Sequence, residues 1–488
     1  MSLSEMSEVA EPRLLIDSRT ENLFARLSGD FHTKMAAEKV GKDLKLIHAN
    51  PKAAHLIGLD PKFFTDPAFV EIFSGHRSFP GGEPLAMVYS GHQFGGWAGQ
   101  LGDGRALLIA QVRNAQGELW DLQLKGSGLT PYSRFGDGRA VMRSTIREYL
   151  GSEAIAALNI PTSRALCIIA TGESVARETF EPGAILTRLA KSHIRFGHFE
   201  HFHHKGKHEQ VRLLADHVIG EYFPEFAGDH VGWFGEVVKR TAELMAQWQA
   251  AGFAHGVMNT DNMSILGLTL DYGPFGFLDA YDPDFICNHS DEGGRYSFSN
   301  QPGIGLWNLR ALALALSSLI ESDKLVEKLN AYESIFVARF RALMRAKIGL
   351  VRNEEDDDDL IRSLLKLMAA ARADYSLTFH GLTRTDEDWL FLFGPAREEA
   401  LAWRERYRAR MDGEGDQSAA MNAANPRYVL RNWVAEVAIR AVEDKNDAGP
   451  LDRILKLIQS PFSAHPGEEA FAEPPGPEYG GLSVSCSS

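Results

Sequence analysis

The sequence predicts an α+β fold in two lobes with extensions at both ends. Glycine-rich turns and short apolar runs alternate between residues 84 and 190, the texture of a strand-rich unit. From Trp233 onward apolar residues recur at helical spacing, so a helical unit follows. Where the two meet, the stretch from His255 to Asp271, HGVMNTDNMSILGLTLD, gathers two acids and an amide into a hairpin pattern.

Composition narrows the function classes. The chain has 488 residues, 44% hydrophobic and 24% charged, enough for several domain-sized units or one two-lobed enzyme. With 51 basic against 65 acidic residues the net charge is −14, which argues against a nucleic-acid grip or an anionic membrane surface. No apolar run approaches the ~20 residues that span a bilayer. The first residues lack a basic stretch followed by an apolar core, so the expected location is cytoplasmic. Three cysteines, Cys167, Cys287 and Cys486, suit a reducing compartment better than a disulfide scaffold.

Residues 1–80 mix helical pattern with Pro-containing turns and carry no chemical motif. After Pro84 the glycines culminate in Gly102, Gly104 and Arg105, directly before an apolar run to Val112. Glycine lets backbone N–H groups approach a phosphate, which makes this a candidate β-turn-β phosphate loop. Arg105–Val112 and Leu119–Lys125 read as a hairpin turning at Asn114–Gly117. In the second strand Trp120, Leu122 and Leu124 share one face, so Lys125 points to the other, toward a cleft or toward water.

A second glycine-rich turn contains Asp137 and Gly138, and Val141–Leu150 is helical with Glu148 near its end. Strands are expected at Ala165–Ala170 and Gly183–Arg188. Arg188 and Arg195, seven apart, offer fork-shaped donors for phosphate oxygens or lie on a solvated edge. The crowded His193, His198, His201, His203, His204 and His208 have no Cys or carboxylate at a zinc spacing and are expected to form a polar helical cap. Trp233–Ala251 is the clearest helix, and Gly252 stops it.

That helix delivers the chain into His255. Asp261 and Asn262 sit in a turn, short strands at 263–266 and 268–270 hinge at Gly267, and Asp271 follows. The hairpin brings Asn262 and Asp271 together as oxygen ligands for Mg²⁺ or Mn²⁺, or else it is a surface hairpin with polar caps. Beyond it, residues 272–298 suggest an ordered loop at a site mouth, and the six acids Glu354–Asp359 a solvated loop between helices.

The order of glycine loop, strand lysine, helix glutamate, long helix, His-Gly, Asn and Asp resembles the protein-kinase fold. His255 and Asn262 keep the kinase His-x₆-Asn spacing and Asp271-Tyr-Gly stands where kinases have Asp-Phe-Gly, but the kinase catalytic aspartate position is Val257. By that criterion alone the chain would be a pseudokinase. The resemblance implies a kinase-like N-lobe over 81–180, a kinase-like C-lobe with helical additions over 181–460, an N-terminal extension over 1–80 and a flexible tail over 461–488.

More specifically, GQLGDGR, LQLKGSG, FGDGRAVMRSTIREYLGSEA, LTRLAKSHIRFG, HGVMNTDNMSILGLTLDYGPFGFLD and the terminal CSS resemble the selenoprotein O family. That resemblance implies transfer of AMP from ATP, bound in reversed orientation, to protein Ser, Thr or Tyr hydroxyls. It implies ATP contacts from Gly102, Gly104, Arg105, Lys125, Asp137, Gly138, Arg188, Arg195 and Asp271, with Glu148 orienting Lys125. Asn262 and Asp271 would ligate Mg²⁺ or Mn²⁺, and Asp261 would accept the proton. Some members carry selenocysteine where this chain has Cys486, and a reversible Cys287–Cys486 disulfide is one expectation. Two rival functions remain at this level: conventional phosphotransfer, and a nucleotide-binding scaffold without catalysis.

Overall fold

The computed structural model describes residues 18–479 and Leu482. Its strands are β1 (Arg19–Thr20), β2 (His32–Lys34), β3 (Lys45–Ala49), β4 (Leu85–Met87), β5 (Ser90–Gln93), β6 (Gly96–Gln100), β7 (Ala106–Arg113), β8 (Leu119–Lys125), β9 (Ala140–Val141), β10 (Arg164–Ala176), β11 (Phe180–Ala190), β12 (Phe253–Ala254) and β13 (Gly276–Phe277). Nine of them form one antiparallel sheet in the order β2-β4-β7-β8-β11-β10-β3, with β1 added to β7 and β9 to β11. The β5–β6 and β12–β13 pairs stand apart from it. The β7–β8 hairpin closes because Asn114 Oδ1 accepts from the N–H groups of Gln116 and Glu118, while Gly117 takes φ +79°.

Helices α1 (Pro51–Leu56) and α2 (Pro67–Phe73) each begin with a side-chain cap, Asn50 or Asp66, followed by proline. Phe63, Phe69 and Phe73 in this region pack on Leu107, Leu122, Leu124, Ile169 and Ile185, covering one face of the sheet. Residues 18–80 therefore supply β1–β3 and the outer layer of the sheet.

The opposite face is covered by α3 (Met142–Ala157), through Ile146, Tyr149 and Leu150 against Ile168 and Leu186. α3 runs past Leu150 to Ala157, which places Glu148 in the middle of the helix. The same core continues into α6 (His230–Ala251), reached through α4 (Phe196–His204) and α5 (His208–Tyr222). α6 ends at Gly252, whose φ of +67° makes the left-handed cap. β12 then leads to His255, held by Gln301 Oε1 at the start of α7 (Gln301–Ala315). Nine more α-helices follow between Ser322 and Ile458, and a separate core with Trp389, Trp403 and Tyr407 binds several of them. No helix among the described residues is long and apolar enough to cross a membrane. Cys486 lies outside the described residues, so its pairing with Cys287 does too; Cys287 is buried, its thiol toward Ala254 O at 3.5 Å.

Candidate active site

A cleft of about 790 Å³ opens beside the end of β8. Gly102, Gly104, Arg105, Lys125, Asp137, Gly138, Arg188, Arg195, Asp261, Asn262 and Asp271 all line it, and Glu148 stands directly behind Lys125. Val257 forms part of the same wall.

Strand alternation explains the cationic floor. Asp121, Gln123 and Lys125 do face away from the apolar side of β8, but they meet buried polar partners rather than water. Asp121 accepts from the His193 backbone N–H at 2.8 Å, and Gln123 Oε1 accepts from Arg188. Lys125 ion-pairs with Glu148, which Arg188 also reaches at 3.1 Å. Burial would raise the Glu148 carboxyl, yet Lys125 and Arg188 outweigh it and hold it below the usual range. Burial pushes the Lys125 ammonium down.

Asp271 lies at the centre. Arg188 contacts its Oδ1 at 2.5 Å, and Arg195 contacts its Oδ2. Burial works against its ionisation, but Arg195, Arg188 and Lys125 hold it well below the ordinary carboxylate range. Its backbone sits at φ +56°, a conformation that costs a non-glycine residue about 1–3 kcal/mol. The preceding carbonyl, Leu270 O, accepts from His255 Nε2 at 2.8 Å, and His255 stacks on Trp248 with centroids 5.2 Å apart. The histidine thus works as a strut that presents Asp271.

Asp261 differs from Asp271. It is 7% exposed; its Oδ2 accepts from Gln93 Nε2 at 3.1 Å, and its Oδ1 has no hydrogen-bond partner among the described residues. Burial pushes its pKa up to about 7, against the opposing pull of Gln93 and Arg195. Asn262 donates Nδ2 to Val257 O at 3.0 Å, an orientation that leaves Oδ1 as the atom able to meet a cation. Asn262 Oδ1 and the Asp271 carboxylate are oxygen donors of the kind that suits Mg²⁺ or Mn²⁺. The 263–270 hairpin is slight: a single antiparallel bridge, Met263 to Thr269, with Gly267 at φ +72°.

The glycine turns serve close approach. A Cβ on Gly102, at φ +142°, would meet the Tyr132 ring at 2.6 Å and Met87 O at 2.8 Å; on Gly138, at φ +71°, it would meet backbone atoms of Gly128 at 2.2 Å. Arg105 is exposed at the mouth, and Asp137 lies on the rim, ion-paired with Arg177 at 2.7 Å.

Sequence reasoning passed over Gln93, Asn259, Asp103 and Gln123. Asn259 Oδ1 accepts from Tyr296 Oη at 2.6 Å and from the Phe94 N–H at 3.2 Å, and so ties the β5–β6 turn to the loop carrying Asp261. Asp103, between two motif glycines, is buried and accepts from the Met87 N–H at 3.0 Å, bracing the loop. Their partners lie far away in sequence, and no local spacing reveals them.

Only the end of the histidine segment is polar surface: His204 and His208 are exposed. His193, His198 and His201 are buried, with His193 Nδ1 3.1 Å from Asp121 and His201 Nδ1 2.8 Å from Ser90 Oγ.

Comparison with known proteins shows the family. The family model described as protein adenylyltransferase SelO matches residues 15–459. Relatives named protein nucleotidyltransferase YdiU include one from Bordetella avium (strain 197N), 50% identical over 96% of this chain and 98% of the relative. Another, from Myxococcus xanthus (strain DK1622), is 50% identical over 96% and 99%. A third, from Yersinia pestis (strain Pestoides F), is 47% identical over 98% and 100%. A match over nearly the whole length, together with the Lys125, Asn262 and Asp271 cleft, means that this chain belongs to the SelO/YdiU family of protein nucleotidyltransferases.

Proposed function

We propose that the protein transfers AMP from ATP to Ser, Thr or Tyr hydroxyls of other proteins and releases pyrophosphate, on a kinase-like two-lobed frame. The observation that carries this is Asp261: a buried carboxyl with an unpartnered oxygen in the cleft, beside Asn262, while Val257 occupies the position two after His255. Val257 has no proton-accepting group. Asp261, with a pKa pushed up to about 7, has the basicity suited to taking a hydroxyl proton near neutral pH.

In the proposed step the acceptor oxygen bonds to the α-phosphorus and its proton passes to Asp261 Oδ1. The bond from the α-phosphorus to the bridging oxygen breaks, and pyrophosphate carries away that electron pair. Lys125, Arg188 and Arg195 stabilise the charge that builds on the phosphates, and the backbone of Gly102–Arg105 and Gly138 lets the phosphate chain lie close. A bound Mg²⁺ or Mn²⁺, held by Asn262 and Asp271, supplies further charge neutralisation there. Glu148 keeps Lys125 extended toward the nucleotide. The resemblance to the selenoprotein O family implies ATP bound in reversed orientation, which would bring the α-phosphate rather than the γ-phosphate within reach of Asp261.

Incubation with MgATP and a mixture of cellular proteins, followed by peptide mass spectrometry, tests this. The expected product is an AMP adduct on hydroxyl side chains, absent with Asp271→Ala. Adducts of phosphate alone would refute the proposal.

A further inference from the structure

The chain leaves the sheet at Ala190, just before α4, yet the far end of α4 meets the β5–β6 hairpin from more than a hundred residues away. There His92 of β5 and Glu200 and His204 of α4 bring one ligand atom each within 4.8 Å of one another. Glu200 is 1% exposed. Its Oε1 lies 2.6 Å from His92 Nδ1, and its Oε2 is buried with no hydrogen-bond partner among the described residues. An unpaired buried carboxylate oxygen is costly, which a cation would relieve.

We propose that His92, Glu200 and His204 form a site for Zn²⁺ or a similar borderline first-row divalent cation, which clamps the β5–β6 hairpin to α4. Two imidazoles and one carboxylate are a donor set that such cations favour, whereas the all-oxygen set at Asn262 and Asp271 favours Mg²⁺ or Mn²⁺. Bonds of about 2.0–2.1 Å at tetrahedral angles separate ligand atoms by roughly 3.3–3.4 Å. His92 and Glu200 must open slightly from 2.6 Å, and exposed His204 must swing in, a small adjustment for a side chain at a helix end. Solvent reaches His204, so water supplies the fourth ligand.

The surroundings support a built site. The His92 ring has Trp97 at 5.1 Å and Trp307 at 5.3 Å, and Trp97 lies 3.8 Å from the His204 ring, centroid to centroid. These indoles border both imidazoles and restrict how the rings can turn. The two elements are already in close contact, since a Cβ on Gly197 would lie 2.1 Å from Ser90 O. The clamp matters to the cleft because Gln93, next to His92, donates to Asp261, while Arg195, at the N-terminus of α4, contacts Asp271. The same metal would then brace both carboxylates from outside the cleft.

Co²⁺ titration of the full-length, metal-stripped protein tests this, followed by Zn²⁺ displacement. A four-coordinate nitrogen–oxygen site gives an intense visible band, and an all-oxygen six-coordinate site gives a weak one. The expected result is one equivalent with the intense band, bleached by Zn²⁺ and lost in His204→Ala, whose exposed position leaves the fold intact by circular dichroism. Asp271→Asn should leave that band unchanged. Loss of a ligand should weaken Zn²⁺ binding by at least the ~10–100-fold that follows loss of an outer partner. Zn²⁺ should also raise the melting temperature of the wild type and not of His204→Ala. Equal Zn²⁺ stoichiometry and affinity in wild type and His204→Ala would overturn the proposal, as would a weak band that disappears with Asp271→Asn.

Discussion

Asp261→Asn separates the two consequences of a buried carboxyl in the cleft. In the ligand-free protein the Asp261 pKa is about 7 against an ordinary 3.8. A folded-state value above the unfolded one means the native state binds more protons between those limits, so stability falls as pH rises from about 4 through about 7. The shift corresponds to about 4 kcal/mol once the group is fully ionised. Asn keeps the acceptor for Gln93 and cannot ionise, so its other effects on stability do not vary with pH. Part of that shift is already lost by pH 5, so urea unfolding of wild type and Asp261→Asn at pH 5 and pH 8 should show the variant gaining about 2.6 kcal/mol relative to wild type between the two conditions. An unchanged difference at both pH values would show that Asp261 is not held in the neutral form by burial. The same variant should lose about 10²–10⁴-fold in AMP transfer, the usual worth of a general base. Near-full activity would remove Asp261 from the mechanism.

Other perturbations follow from the same contacts. Glu148→Ala leaves Lys125 and Arg188 without a shared buried carboxylate and should cost about 3–5 kcal/mol in denaturant unfolding, with ATP binding weakened. Lys125→Ala should weaken ATP binding with a smaller loss of stability, because Glu148 keeps its contact with Arg188; calorimetry with ATP and thermal melts read the two apart. Gly138→Ala forces a Cβ into the Gly128 backbone at a left-handed φ and should abolish ATP binding or lower the melting temperature by several degrees. In wild type, activity should rise with pH as Asp261 ionises, with a midpoint near 7 before bound nucleotide and metal alter it.

Much of the site is legible in the sequence because its parts announce themselves locally. Gly102 and Gly104 precede an apolar run that becomes β7, Lys125 ends a strand with strict alternation, and Asp271 follows a glycine hinge. What the sequence hides depends on partners remote in the chain. The polar face of β8 suggests solvent until Arg188 and His193 arrive from β11 and the segment after it. The histidines of α4 suggest a polar cap until His92 joins them. The acidic run at 354–359 suggests a solvated loop, yet Asp357 is buried in the first turn of helix Asp357–Ala371, paired with Arg345 and Arg410. Residues 18–80 carry no chemical motif, and Phe63, Phe69 and Phe73 become intelligible only against the outer face of the sheet.

The choice between AMP transfer and phosphoryl transfer rests on which phosphate lies near Asp261. ATP labelled at either the α- or the γ-phosphate, supplied with Mg²⁺ or Mn²⁺ to the purified protein and a mixture of cellular proteins, decides it. Retention of label on protein from the α-position alone, lost with Asp271→Ala, is the predicted result. Retention from the γ-position alone would contradict the assignment of Asp261 as the base for AMP transfer and make the cleft that of a conventional kinase.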